Sequence, residues 1–154
     1  GAEIMSKVEK YLQEKNFSGQ VIYLNQSSAT VDLAAAALSE PPELIAKTLA
    51  FKTKDKNIVI VTSGKARIDN KKFKAYFACK AKMLKPEETL AVTGHPVGGV
   101  CPFALPEDVA IFLDKSLTNF AYVYPAAGTA NSAIKMKPAE IQALTNATWI
   151  DIIE

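Results

Sequence analysis

Val8, Tyr11 and Leu12 recur at helical spacing among the lysines and glutamates of residues 6–15, and Asn16 and Gly19 follow as stop signals. That pattern predicts an amphipathic helix. The period changes at residues 20–25, where the β-branched and aromatic run QVIYLN predicts a short strand. Thr30 or Asp32 can accept hydrogen bonds from the first N–H groups of a second helix through Ala34, Ala35, Ala36, Ala37 and Leu38, which Ser39-Glu40-Pro41-Pro42 interrupts. Pro42 suits a first helical turn and Glu43 complements its dipole, so a third helix is expected over residues 43–47.

Apolar runs at residues 48–53 and 58–62 predict two strands, and the polar connection Lys54-Asp55-Lys56-Asn57 is short enough to make them an antiparallel hairpin. Asp69 or Asn70 starts a basic helix toward Cys79, with Phe73, Tyr76 and Phe77 spaced to face the core. Pro86-Glu87-Glu88-Thr89 opens another short helix. Residues 109–113 and 120–124 read as strands. Residues 134–137 lead to Pro138 and a helix over 140–144, and residues 149–153 supply the strand that closes the sheet, with Trp149 in the core. Helices and hairpins alternate without regular βαβ repeats, so the fold class is α/β with a mixed sheet, in one domain spanning residues 1–154.

Composition fits that reading: 154 residues at 49% hydrophobic and 22% charged can bury a real core. No apolar run reaches the roughly 18 residues of a membrane span. No basic segment followed by a hydrophobic one stands near the start, so a cytoplasmic location without membrane contact is expected. Cys79 and Cys101 form no CxxC pair and have no histidine at zinc spacing, which points to reduced thiols and to no metal or other cofactor. The net charge is only +2. Its distribution is uneven, because Lys65, Arg67, Lys71, Lys72, Lys74, Lys80, Lys82 and Lys85 face Asp69 alone between residues 65 and 85. Such a segment either follows a phosphate backbone or is a solvated helix face.

Thr93-Gly94-His95-Pro96-Val97-Gly98-Gly99-Val100-Cys101-Pro102-Phe103 places three glycines and two prolines in eleven residues. Glycine without a Cβ lets backbone N–H groups approach a ligand, while Pro96 and Pro102 restrict the flanks. The loop is either an anion- or carbonyl-binding cradle or a tight turn between two elements. Lys47 stands in Leu44-Ile45-Ala46-Lys47-Thr48-Leu49-Ala50-Phe51, at the expected junction of a helix and an apolar strand. It either caps the helix end or carries its charge to a ligand.

Taken together, IAKTLAF at residues 45–51, the hairpin after it, GHPVGGVCPF at 94–103, Leu113-Asp114, and Ala127-Gly128 ahead of Ile134 resemble the YbaK/EbsC-like aminoacyl-tRNA deacylase family. A related editing domain is found inserted in bacterial prolyl-tRNA synthetases. The resemblance runs from about residue 21 to the C-terminus. It implies a compact α/β fold around a mixed, mostly antiparallel, barrel-like sheet surrounded by helices, in a freestanding form. It also implies hydrolysis, without a metal, of the ester joining a wrong amino acid to the terminal adenosine of a tRNA. The partner is then the acceptor end of a mischarged aminoacyl-tRNA, most simply a tRNA(Pro) carrying Ala, Cys, Ser or Thr, with a synthetase as a second partner. A non-catalytic module that binds tRNA or a synthetase on the same fold is the alternative.

On this resemblance Lys47, Gly98 and Gly99 carry catalysis. Lys47 would hold the substrate carbonyl or the terminal ribose and phosphate, and fixed N–H groups would stabilise the oxyanion by about 3 kcal/mol each. Gly94, His95, Val97, Cys101, Phe103, Asp114, Ala127 and Gly128 line the substrate pocket, and Lys65, Arg67, Lys71 and Lys72 contact tRNA. Relatives acting on cysteinyl-tRNA(Pro) share a serine and glycine pair where this chain has Pro125-Ala126-Ala127-Gly128, followed by Thr129-Ala130-Asn131-Ser132. That departure favours editors of small amino acids such as alanine, serine or threonine. Tyr23 corresponds loosely to a strand tyrosine of some relatives. His95 is either a general base or pocket wall, Cys101 either a nucleophile or pocket wall, and Asp114 either a pocket group or a strand-end turn residue.

Overall fold

A computed structural model describes residues 4–154. Ser6 caps helix α1 (Lys7–Glu14): its hydroxyl accepts from Glu9 N–H, and Glu9 returns a carboxylate to Ser6 N–H. That reciprocal pair satisfies two amides which the helix start would otherwise leave open. Strand β1 (Ile22–Tyr23) is shorter than the expected run. Thr30, not Asp32, caps α2 (Val31–Leu38), and Ser39 ends it in the left-handed region at φ 56°.

The expected helix over residues 43–47 is replaced by a single 3-10 turn, Pro42–Leu44, and strand β2 (Ile45–Lys52) begins at once. Tertiary pairing overrides local preference here. Ala46 pairs with Ser63 of β3 (Asn57–Ser63), and Ile45 and Ala46 also pair with Tyr124 and Pro125 of the later strand β5, so residues 45–47 gain ladder partners that an isolated turn cannot offer. The hairpin expected between 48–53 and 58–62 is present, antiparallel from Ala46–Ser63 to Lys52–Asn57.

Asp69 caps α3 (Asn70–Phe77) by accepting from Lys71 and Lys72 N–H, and Pro86 opens α4 (Pro86–Thr93), which ends at Gly94 with φ 75°. Strand β4 (Ala110–Asp114), β5 (Tyr124–Pro125), β6 (Ser132–Ala133), α5 (Pro138–Thr145) and β7 (Thr148–Ile150) complete the order. The main sheet runs β5-β2-β3-β4-β7, and β1 pairs with β6 in a separate two-stranded sheet. Antiparallel β2–β3 is its longest pairing, while β2–β5, β3–β4 and β4–β7 are parallel, so the sheet is mixed as expected but not mostly antiparallel. Among the described residues no pairing joins the β7 edge to the β5 edge, so the sheet does not close into a barrel.

Strand β3 is the spine. Ile58, Val59, Ile60 and Val61 are all fully buried, as a continuous apolar run covered on both faces should be. Alternation splits them between layers: Ile58 and Ile60 pack with Phe51 and Phe73 of α3, whereas Val61 joins Phe103, Leu113, Leu117 and Val8 in the largest cluster. Two expectations for aromatic side chains change. Tyr76 is 53% exposed, edge-on to Phe77 and Phe112, because α3 turns only the Phe73 side fully inward. Trp149 is half-buried against the large cluster rather than inside it.

Candidate active site

The pairing of β5 with β2 stops at Ala46, and a cavity of about 380 Å³ opens beside the next residues of β2. Its floor is residues 45–50 of β2. One end is Ala126, Ser132 and Ala133, the other is Met83, Leu84 and Pro86, and Ser28 to Val31 with Val97, Gly98 and Val100 form the remaining wall. The lining is small and mostly apolar: Ala29, Ala34, Ala46, Ala50, Ala126 and Ala133 all contribute. A pocket of this size and character suits a small ligand.

Lys47 reaches this cavity from the third position of β2, not from a helix end, so the reading as a helix cap does not apply. Its ammonium donates to the Ala66 carbonyl at 2.6 Å. That leaves two of its three N–H donors for a ligand. Burial first, then the charges of Arg67 and Lys65, hold its pKa below the usual lysine value. The Ala66 carbonyl is placed by the turn after β3, where Gly64 is packed so closely that a Cβ would overlap the Pro42 carbonyl and Val31.

Pro96, Val97, Gly98 and Gly99 form a tight turn, closed by a hydrogen bond from Gly99 N to the Pro96 carbonyl (2.9 Å). Its third residue, Gly98, has φ 88°, a conformation that side chains other than glycine resist. The turn thereby presents Val97 and Gly98 to the cavity. Among the described residues the Gly98 and Val100 N–H groups have no backbone acceptor, so they remain free to meet a ligand oxygen. Gly99 packs the other way. Its carbonyl accepts from Gly128 N (3.1 Å), and a Cβ there would lie 2.6 Å from Thr129 N, so two loops meet backbone to backbone.

The remaining expected residues separate from the cavity. Gly94 ends α4, its carbonyl accepting from the Lys7 ammonium. His95, Cys101 and Phe103 are fully buried behind the loop. His95 Nε2 lies 2.7 Å from the Phe103 carbonyl, which requires an N–H on that nitrogen. Its Nδ1 is buried without a partner, and burial pushes the pKa down, so the ring is neutral packing and does not front the pocket. The Cys101 thiol is pushed up to about 12 by burial, and a nucleophilic cysteine is thereby set aside. Asp114 resolves as a strand-end residue: its carboxylate accepts from Ser116 N (2.7 Å) and Ile152 N (2.8 Å), away from the cavity. Ala127 is core, and Gly128 sits beside Val8 and His95.

The basic segment divides. Lys65 and Arg67 act on Lys47, and Lys65 stands 3.8 Å from Asp32. Lys72 is turned to the segment after β7, donating to Asp151 (3.1 Å) and the Ile153 carbonyl (2.7 Å), while Lys71 is exposed on α3. Sequence reasoning missed Ser28, Met83 and Ala133 as pocket residues; nothing in their local pattern marks them. It also passed over Thr48, although the KTL run contains it. Among the described residues no three of His, Cys, Asp and Glu converge on a common point. Nor is any described helix long and apolar enough to cross a membrane.

Residues 25–144 match the family described as the aminoacyl-tRNA editing domain. The chain belongs to that family. An uncharacterized protein of Bacillus subtilis, YwhH, is 42% identical over 150 residues, covering 96% of each chain. Proline--tRNA ligase of Streptococcus thermophilus is 35% identical over 95 residues, which cover 60% of this chain and 15% of the ligase. A crystal structure assigned as a candidate trans-editing enzyme for prolyl tRNA synthetase superposes with a TM-score of 0.89 at 29% identity, over 98% of this chain and 99% of that one. The match to the editing domain includes Lys47, Val97, Gly98 and Ser132, all of which border the cavity.

Proposed function

We propose that this editing domain is an aminoacyl-tRNA deacylase, hydrolysing the ester between a small amino acid and the terminal ribose of a tRNA, with tRNA(Pro) as carrier. The observation that carries the reading is that Lys47 and Gly98 border one cavity of about 380 Å³ whose walls are largely alanine, glycine, serine and threonine. Water attacks the ester carbonyl, the bond to the ribose oxygen breaks, and the products are the free amino acid and a ribose hydroxyl that takes up the proton. The negative charge on the carbonyl oxygen meets free N–H groups of the glycine turn. Each well-aimed donor in such a site stabilises the oxyanion by about 3 kcal/mol. Lys47 uses its two remaining donors on the terminal ribose or phosphate, and Lys65 and Arg67 extend that positive field toward the acceptor end, with Lys71 and Lys72 farther out. The mostly apolar lining favours a small uncharged side chain such as that of alanine over a charged one.

The experiment is a panel of tRNA(Pro) and tRNA(Ala) carrying alanine, serine, threonine or cysteine, incubated with the protein and with Lys47→Ala. Turnover of at least one small-residue ester, lost in Lys47→Ala at an unchanged melting temperature, is expected. Intact esters throughout the panel, with retained tRNA binding, would leave the non-catalytic module in its place.

A further inference from the structure

Strand β2 has one complete edge and one interrupted edge. Along β3 it is paired from Ala46 to Lys52. On the other side β5 reaches only Ile45 and Ala46. Bonding resumes at Ala50, whose carbonyl accepts from Leu84 N (3.0 Å), and at Lys52, whose N–H donates to the Lys82 carbonyl (2.9 Å). Main-chain groups alternate sides along a strand, so the groups of Ala50 and Lys52 facing this edge place those of Thr48 there too. Among the described residues no backbone group meets the Thr48 N–H or C=O on that edge. The gap is one residue long, and it opens into the cavity between Ala126 and Ala133 at one end and Met83 and Leu84 at the other. The Thr48 hydroxyl and the Ser28 hydroxyl, both on residues of the cavity wall, are also buried without partners.

Unmet buried polar groups are costly, and a mid-strand residue lacking its ladder partner at a pocket invites a ligand to supply one. In an antiparallel ladder a bonded pair exchanges two hydrogen bonds, each residue giving one N–H and one C=O. An aminoacyl ester carries the same two groups around one tetrahedral carbon: an α-ammonium donor and an ester carbonyl acceptor. We infer that the aminoacyl group docks as a one-residue strand on Thr48, its α-ammonium on the Thr48 carbonyl and its ester carbonyl on the Thr48 N–H. The carbonyl oxygen has two lone pairs, so it accepts from Thr48 and from the glycine turn together. This rests on the deacylase reading and adds a substrate requirement to it. The site favours acyl groups with a free α-ammonium over hydroxyacyl and N-blocked ones, because a hydroxyl or an amide N–H gives the Thr48 carbonyl a neutral hydrogen bond in place of a charge-assisted one.

The test compares one tRNA carrying alanine, 2-hydroxypropionate or N-acetylalanine, in single turnover and corrected for spontaneous hydrolysis. The two analogues are expected to react about 10-fold more slowly than alanine, the difference between a charge-assisted hydrogen bond and a neutral one. Equal rates for all three overturn the docking mode and leave the deacylase standing. A second measurement does not depend on turnover: amide hydrogen exchange of the free protein and of the protein with 3′-alanylamino-3′-deoxyadenosine, which cannot be hydrolysed. Thr48 is expected to exchange faster than its neighbour Leu49 in the free protein and to slow when the amide analogue binds. A Thr48 amide as protected as Leu49 without ligand, or unchanged by a saturating analogue, overturns the inference whatever the activity assay shows.

Discussion

Gly99→Ala isolates what the contact between the two loops is worth. An added Cβ would stand 2.6 Å from Thr129 N and 2.8 Å from both Gly128 C and Thr129 Cα. Ordinary contact lies at about 3.5–4.0 Å, so the loops must part by roughly 1 Å. The obstacles are backbone atoms, which cannot swing aside. Overpacking of this kind costs about 1–3 kcal/mol, and stretching the 3.1 Å bond from Gly128 N to the Gly99 carbonyl forfeits about 1 kcal/mol more. At about 2–4 °C per kcal/mol for a chain of this size, the melting temperature falls by roughly 4–15 °C. A displacement of 1 Å beside Gly98 also lowers deacylation by about 10²-fold if the turn supplies the oxyanion donors.

Calorimetry or a dye-monitored melt reads the first effect, and aminoacyl-tRNA hydrolysis at saturating enzyme reads the second. Gly94→Ala is the internal control. Its Cβ meets only the tip of Lys7, which can move, so the cost is that of φ 75° alone, about 1–2 kcal/mol. A Gly99→Ala protein melting within about 2 °C of the parent, or one less perturbed than Gly94→Ala, would falsify the claim that these loops are held by backbone contact.

Asp114→Ala leaves the Ser116 and Ile152 amides without acceptors, at about 1–3 kcal/mol each, while the remaining folded protein keeps its activity per molecule; denaturant titration with active-site counting checks both halves. His95 binds a proton less readily folded than unfolded, so the unfolded chain takes up the extra proton as pH drops below about 6.5, and stability falls with a slope of up to about 1.4 kcal/mol per pH unit. Urea melts between pH 8 and 5 measure that slope, and His95→Gln should flatten it while lowering stability overall; matching slopes contradict the assignment. Ala78→Gly and Ser39→Gly relieve φ 59° and 56° at two helix ends, and each should raise stability by about 0.5–1 kcal/mol in thermal melts. Cys101→Ala should keep full turnover in the deacylation assay, since its thiol is pushed up to about 12 and is sealed from the cavity.

Legibility in the sequence follows the range of the interactions involved. Thr30 and Asp69 accept from amides two or three positions on, Pro138 fixes a first helical turn, and helices begin where they predict. The helix expected over residues 43–47 fails because its competitor is remote: Ser63 and Tyr124, distant in sequence, draw residues 45 and 46 into a sheet. The same distance hides the pocket. Met83 and Ala133 border it only because the strap before α4 and the short strand β6 end beside β2, and no local spacing records that meeting.

The glycine motif shows where a pattern in one dimension merges two duties. Its eleven residues read as a single cradle, yet the fold divides them between a face and a backing. Val97, Gly98 and Val100 meet the cavity, whereas His95, Gly99, Cys101 and Phe103 are locked behind it by the Phe103 carbonyl, the Gly128 backbone and the large core. Both duties demand the same residue types, because a turn that must bare its N–H groups also has to be pinned from behind or those groups will not hold their aim. On this argument His95, buried against the Phe103 carbonyl, supports the turn from behind. The two neighbours Lys47 and Thr48 make the complementary point on β2: the side chain of the first and the main chain of the second bring charge and ladder bonding to one opening, and a residue-type pattern registers only the first.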